Sequence, residues 1–75
     1  MIREAIARLV AGERLGEEEA AQVMEEIMAG EAQEAQVAAY LVALRLRGET
    51  VEVIAGSARA MRAKAVQIRA RVEPL

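Results

Sequence analysis

Residues 37–50, VAAYLVALRLRGET, form the densest apolar run of the sequence. Nine of the first ten residues are apolar, and only Arg45 interrupts them. Gly48 followed by Thr50 is typical of a place where one helix ends and the next begins. A surface helix normally has one apolar stripe and one polar face. The stretch therefore predicts a helix over residues 34–47 that needs protein on more than one side.

The size and composition of the chain narrow the classes of protein it can be. A sequence of 75 residues allows one domain at most, and a chain this short has little core of its own. It contains no cysteine and no histidine, so it has neither disulfides nor the usual zinc ligands. We find no signal-peptide pattern, and the apolar run is too short to span a bilayer. We expect a cytoplasmic protein with no membrane partner.

Apolar residues at helical spacing, separated by glycines, predict four helices joined by short loops. The predicted ranges are residues 2–11, 17–29, 34–47 and, after a Thr50 cap, 51 to about 69. We expect Val72–Leu75 to be extended, because Pro74 cannot continue a helix. The fold class is all-α, a compact four-helix domain. The stripe predicted to be buried on helix 4 comprises Val51, Ile54, Ala58, Met61, Ala65 and Ile68.

The sequence offers no catalytic, cofactor-binding or metal site. Without histidine there is no Ser–His pair, and the isolated glycines form no phosphate-binding loop. Three consecutive glutamates, residues 17–19, point around a helix and suit its positive end better than they suit one metal ion. Met24, Met28 and Met61 fall on the predicted stripes, where methionine usually fills a core.

Charge is segregated along the chain. Residues 13–34 carry eight glutamates and one arginine, whereas residues 57–72 carry four arginines, one lysine and no acid. The basic stretch lacks aromatic residues for stacking on bases, and an apolar stripe runs through it, so we expect no nucleic-acid partner. It is predicted to be a solvated or partner-facing surface. The apolar excess of helix 3 predicts a second partner surface that includes Tyr40 with Leu41 or Leu44.

An ordered set of short motifs carries a resemblance to a known family. Ile27-Met28-Ala29-Gly30-Glu31 is followed by Ala35-Gln36, then Ala43-Leu44-Arg45, Gly48-Glu49-Thr50, Ile54-Ala55-Gly56 and Ala58-Arg59-Ala60-Met61-Arg62. The set resembles the N-terminal helical domain of the anthranilate phosphoribosyltransferases. The sequence departs from that pattern at Gly16, where the family usually has Ser or Thr, and at Gln33-Glu34, where it usually has Thr-Pro.

The resemblance implies a function for a longer protein. That protein would transfer a phosphoribosyl group from phosphoribosyl pyrophosphate to anthranilate in tryptophan biosynthesis, with magnesium. It implies that residues 1–71 are a helical dimerisation domain, and that residues 72–75 begin a hinge to a missing α/β catalytic domain. We expect a homodimer through helices 1 and 3. The expected interface residues are Ile2, Ile6, Leu9, Val37, Tyr40, Leu41 and Leu44.

Two alternatives remain open. The chain is also consistent with a stand-alone helical adaptor that uses its basic last helix to bind an acidic partner. Pyrimidine nucleoside phosphorylases share this type of domain, so a parent of that kind is the other alternative. On any of these hypotheses the 75 residues are catalytically inert alone.

Overall fold

The computed structural model describes residues 1–72, which form four α-helices in the predicted order. They are α1 (Ile2–Val10), α2 (Glu17–Met28), α3 (Glu34–Arg47) and α4 (Val51–Val72). The prediction of a four-helix all-α domain with short loops is confirmed. The last helix continues beyond its predicted end, so Val72 is helical rather than extended. The rest of the predicted extended segment, residues 73–75, lies outside the described residues.

Glycine ends the first two helices through the same hydrogen-bond pattern. Gly12 and Gly30 have φ values of 92° and 74°, a region that side chains with a Cβ rarely adopt. The Gly12 N–H donates to the carbonyl of Leu9, and the next N–H donates to the carbonyl of Arg8, at 3.0 and 2.9 Å. Gly30 and the residue after it repeat this arrangement at the end of α2. These bonds satisfy carbonyls that a helix end otherwise leaves unpaired, so the chain reverses sharply at both positions.

Helices α2 and α3 begin without the Ser or Thr cap that is usual in the family that the sequence resembles, and other side chains bind the free N–H groups. The Gly16 N–H donates to the carboxylate of Glu19 at 2.9 Å, and the Gln33 N–H donates to the Gln36 side chain at 3.0 Å. Each is one half of a capping box, in which the third helical residue reaches back to the cap. At α4 the Val53 N–H donates to the Thr50 hydroxyl at 3.2 Å, which confirms the predicted cap.

The helices pack as two pairs, α1 with α3 and α2 with α4, and the pairs meet where α1 contacts α2. The radius of gyration is 13.4 Å, above the roughly 11 Å expected for a compact domain of this length. The long helix α4 contributes to the excess, because its residues 65–71 are all exposed. The largest core side chains are Ile2, Leu9, Leu15, Val23, Tyr40, Leu44 and Val53.

The face of α4 that packs on α2 is not the predicted one. The buried residues are Val53, Gly56 and Ala60, whereas Ile54 and Met61 of the predicted stripe are 58% and 48% exposed. The predicted stripe was wrong because it ranked positions by apolar size. A Cβ on Gly56 would lie 2.1 Å from the Glu17 carbonyl oxygen, so this contact requires glycine.

The methionine prediction is correspondingly wrong for Met61, whose side chain lies on the outer side of α4. Met24 and Met28 of α2 are half-buried, so they only partly fill the core. A helix packs most closely where its side chains are smallest, and this leaves larger apolar residues of α4 on the opposite side.

Candidate interaction surfaces

The acidic side chains of the described residues serve the fold, and none of their groupings suits a metal ion. Among residues 1–72 no group of three or more acidic side chains lies close enough to hold a metal ion. The glutamates at the start of α2 have other partners: Glu19 binds the Gly16 N–H, and Glu17 and Glu18 pair with Arg59. The features of the domain that could bind another molecule are its exposed apolar and charged surfaces.

The seven residues predicted for a dimer interface occupy different environments. Ile6 and Val37 are half-buried, and Leu41 is 56% exposed. Four are at most 6% exposed and belong to the core of the chain itself: Ile2, Leu9, Tyr40 and Leu44. Their side chains pack mainly within the chain, although Leu9 lies at the base of one surface depression and Tyr40 and Leu44 line another. The interface itself stays a prediction.

One apolar surface lies on the outer side of the α1/α3 pair. Val10, Val42 and Leu46 are 76%, 58% and 83% exposed, and we call these three residues the α1/α3 face. A shallow depression between Val10 and Leu46 has the buried Leu9 at its base. Helix 3 was predicted to carry a partner surface of Tyr40 with Leu41 or Leu44; Leu41 is exposed, whereas Tyr40 and Leu44 are buried, and the partner stays a prediction. The sequence reasoning missed Val42 and Leu46, which belong to the same apolar run.

A second apolar surface is the groove between α3 and α4. Leu41 and Leu44 line it from α3, and Ile54, Ala58 and Met61 line it from α4. Polar residues are few along it and include Glu49 and Ser57. Helices α3 and α4 are consecutive, but they make few direct contacts with each other. The space between them is therefore open to solvent.

Tyr40 lies at this groove and is the one aromatic residue of the chain. The side chain is 1% exposed, and its hydroxyl has no hydrogen-bond partner among the described residues. Burial raises the pKa of Tyr40 above its ordinary value of 10.0, because the phenolate would lose its hydration. A buried hydroxyl without a partner is costly, so this group marks a weak point of the fold.

The basic residues of the stretch 57–72 differ in whether they form ion pairs within the domain. Arg59 donates from its two terminal nitrogens to Glu18 at 2.7 Å and to Glu17 at 3.1 Å. The hydrogen bond to Glu18 and the charge of Glu17 raise the pKa of the Arg59 guanidinium. This contact joins α4 to the start of α2, so Arg59 serves the fold. Arg62 and Arg69 are exposed and make no ion pair within residues 1–72.

A similar contact ties α1 to α2 on the other side of the bundle. Arg8 pairs with Glu19 and, at 3.0 Å, with Glu13. Four of the eight glutamates of residues 13–34 are thus paired with Arg8 or Arg59. Among residues 1–72, no helix is both long and apolar enough to cross a membrane.

Comparison with known proteins agrees with the helical architecture. The family model described as the glycosyl transferase family, helical bundle domain, matches residues 3–65. The chain is 56% identical over 69 residues to the anthranilate phosphoribosyltransferase of Geotalea daltonii and 55% identical over 69 residues to that of Syntrophotalea carbinolica. The Desulforudis audaxviator protein of the same name is 56% identical over 73 residues.

These alignments cover 92% to 97% of the chain but only 20% to 21% of each relative. The chain therefore spans about a fifth of the length of the curated relatives that it matches. No solved structure matches it. Because the family model covers residues 3–65, the chain belongs to the glycosyl transferase family as its helical bundle domain.

Proposed function

We propose that the chain is the N-terminal helical domain of an anthranilate phosphoribosyltransferase that works in the cytoplasm. The parent enzyme transfers a phosphoribosyl group from phosphoribosyl pyrophosphate to anthranilate, a step of tryptophan biosynthesis. The observation that carries the proposal is the identity of 51% to 56% with proteins of that name over nearly the whole chain. The helical domain itself contributes structure and surface.

The chemistry of the parent belongs to residues outside this chain. The described residues do not fit magnesium, because no cluster of acidic side chains is present among them to hold it. The resemblance assigns the metal and the pyrophosphate to an α/β domain, which follows the helical domain in the proposed parent. The helical domain then forms one wall of the cleft between the two domains.

The second part of the proposal is a homodimer that forms through the outer side of α1 and α3. The support is the α1/α3 face, where three large apolar side chains are more than half exposed on one small domain. Each would gain about 1.5–3 kcal/mol if fully buried. Charged substitutions at Tyr40 or Leu44 would unfold the chain and cannot test this interface, whereas Leu46 is exposed enough to do so.

A domain exchange tests the enzymatic assignment. Residues 1–72 replace the helical bundle of the Geotalea daltonii enzyme, and loss of anthranilate is measured in the presence of phosphoribosyl pyrophosphate and magnesium. We expect activity within about tenfold of the unaltered enzyme, because only remote packing differs. A folded chimera that is inactive with anthranilate, while the same graft supports a pyrimidine nucleoside phosphorylase, would favour the alternative parent.

Light scattering of the isolated chain tests the homodimer. We expect the mass of two chains at micromolar concentration and the mass of one chain for the Leu46→Glu variant. Val66→Glu is the matched control, because Val66 is also exposed but lies on α4. A single-chain mass for the unaltered protein at high micromolar concentration would disprove self-association.

A further inference from the structure

The link between α3 and α4 is fastened by fewer hydrogen bonds than the two other links of the bundle. At Gly12 and at Gly30, two successive N–H groups donate to carbonyls of the helix that has just ended. At the end of α3 only the Gly48 N–H does so, at 2.8 Å. The N–H groups of Glu49 and Thr50 have no acceptor within residues 1–72. Hydrogen bonds of the link itself therefore do not fix the reversal of the chain between α3 and α4.

Gly48 is the residue at which the chain turns away from α3. Its φ and ψ values are 96° and 131°, a combination that residues with a Cβ rarely adopt. A Cβ added at Gly48 would meet no atom within 4 Å, so the backbone conformation, and not packing, requires glycine here. Gly56 is the opposite case, because a Cβ there would collide with α2. The direction of the chain after α3 therefore depends on the dihedral angles of Gly48.

Helix α4 has few contacts with the helix that precedes it in the chain. Its main packing partner is α2, whereas α3 packs mainly on α1. The contact of α4 with α2 includes the close approach at Gly56 and the ion pairs of Arg59. The link is three residues long and contains no proline, so it can extend while α4 remains helical. The α2 of a second copy of the chain offers α4 the same contacts as its own α2.

We propose that α4 exchanges between two copies of the chain, with Gly48 as the hinge. In the exchanged dimer the link is extended, and α4 of each chain packs on α2 of the other chain. The contacts of α4 are then made between chains instead of within each chain, and only the link changes its conformation. The positive φ of Gly48 favours the closed form, because glycine adopts it without steric cost.

The exchange uses the inner face of α4, the face that packs on α2. It therefore makes no use of the exposed α1/α3 face, and it does not depend on the enzymatic assignment. A dimer through the α1/α3 face and an exchanged dimer also differ in a measurable way. Only in the exchanged dimer do the α2 and α4 that touch belong to different chains.

The Gly48→Ala variant tests the hinge. Its Cβ disfavours the closed link and favours a helical one, so we expect the dimer to bind about a hundredfold more tightly, tenfold for each of its two hinges. All chains carry Leu46→Glu, which removes association through the α1/α3 face, and all are refolded from urea at the same high concentration. Light scattering should then give the mass of two chains for Gly48→Ala.

The matched control is Gly12→Ala. Gly12 also has a positive φ, 92°, and open space where a Cβ would lie. It lies in the link between α1 and α2, so opening that link leaves α2 and α4 together on one chain. This variant should form no contact between α2 of one chain and α4 of another.

A chemical crosslink shows which chain supplies α4. Arg59→Lys places an amine beside the carboxylates of Glu17 and Glu18, and a carbodiimide joins such a pair directly. Chains of ordinary and of heavy nitrogen are mixed before refolding, so that mass spectrometry separates products within one chain from products between two. We expect mixed-isotope products between α2 and α4 for Gly48→Ala and only unmixed products for Gly12→Ala.

The chain that keeps Gly48 provides a second measurement, which does not depend on the stability of the Gly48→Ala variant. Refolded at high concentration, it should give a small share of mixed-isotope products, and this share should disappear when the chain is diluted before refolding. The absence of mixed products at high concentration would overturn the proposal. A folded Gly48→Ala variant that stays a single chain, or that gives only unmixed products, would overturn it as well.

Discussion

The two faces of α4 follow opposite rules. The inner face, which packs on α2, presents Val53, Gly56 and Ala60, whereas Ile54 and Met61 lie on the outer face and remain largely exposed. The more apolar face is thus the one that the domain leaves uncovered. The size of the side chains between two helices decides how closely the helix axes can approach. Burial of apolar surface then stabilises the contact that this distance allows.

The two faces of α4 should also differ in what they contribute to stability. The inner face has small residues, a close contact of Gly56 with the Glu17 backbone and the Arg59 ion pairs. The outer face has the exposed apolar side chains of Ile54 and Met61, and Arg62 beside them makes no ion pair within residues 1–72. Substitutions on the inner face should therefore change the free energy of unfolding more than substitutions on the outer face.

The largest expected effect is that of Gly56→Ala. Alanine normally stabilises a helix interior by about 1 kcal/mol over glycine. Here its Cβ would meet the Glu17 carbonyl oxygen at 2.1 Å, so α2 and α4 must separate, and we expect a loss of about 3 kcal/mol. Urea unfolding followed by circular dichroism measures it. Ser57→Ala, one position along, is the control and should stay within about 0.5 kcal/mol. A Gly56→Ala variant as stable as the parent would show that the helices are not this close.

The next largest difference in the free energy of unfolding is expected between substitutions of two neighbouring residues, one on each face of α4. Val53 is 5% exposed and Ile54 is 58% exposed. Val53→Ala should cost about 2 kcal/mol because it leaves a cavity, although it removes less apolar volume than Ile54→Ala. Ile54→Ala should cost less than about 0.5 kcal/mol. Chemical denaturation of both variants checks the order. The reverse order would mean that the inner and outer faces of α4 are exchanged in solution.

A smaller effect of opposite sign is expected for Tyr40→Phe. Removing a buried hydroxyl without a partner should raise the free energy of unfolding by about 1 kcal/mol at pH 7. Because the folded-state pKa of Tyr40 is raised above 10.0, the unfolded chain ionises first. Tyr40 therefore contributes stability that is present below pH 10.0 and is lost as the pH rises through the folded-state value.

Unfolding measured at pH 8 and at pH 11, for both proteins, separates these two contributions. The stability of Tyr40→Phe should fall less with pH than that of the unaltered chain. The absorbance of the phenolate reports Tyr40 alone, since it is the only aromatic residue. A destabilised Phe variant with an unchanged pH profile would indicate that the hydroxyl has a partner after all.

The smallest expected effect is that of Arg59→Gln. Its ion pairs with Glu17 and Glu18 are exposed, so their loss should lower the melting temperature only slightly. The difference should vanish at high salt, where exposed charges are screened. Arg62→Gln removes an exposed cation that makes no ion pair within residues 1–72, and it should leave the melting temperature unchanged. An equal loss from both substitutions would show that net charge, and not the contact with α2, is responsible.

Local signals were enough to place the helices and their ends. Apolar spacing fixed α3 at Glu34–Arg47, Thr50 capped α4 as predicted, and Gly12 and Gly30 adopt the positive φ that a helix end requires. Each of these depends on residues within one turn of each other. The family resemblance depends on the same local motifs, and it too was confirmed.

The faces of the helices could not be predicted in the same way. Ile2, Leu9, Tyr40 and Leu44 were predicted for an interface between molecules; they belong to the core of the chain, and the interface stays a prediction. The apolar stripe of α4 from Val51 to Ile68 was expected in the core, but all of its residues except the half-buried Ala58 are exposed. An apolar stripe on a helix indicates that protein surface packs against it. The stripe does not indicate whether that surface belongs to the same chain or to another molecule.

The sequence by itself thus determined that residues 1–72 form four helices, where they begin and, apart from the end of α4, to within one residue where they end, and to which family the domain belongs. Only the tertiary structure decided which side of each helix faces inward. The physical reason is that helix formation depends on neighbouring residues, whereas packing depends on shape between segments far apart in the chain. At Gly56 a single missing Cβ lets the backbone of α4 approach that of α2, and this contact outweighs the larger apolar side chains on the opposite face.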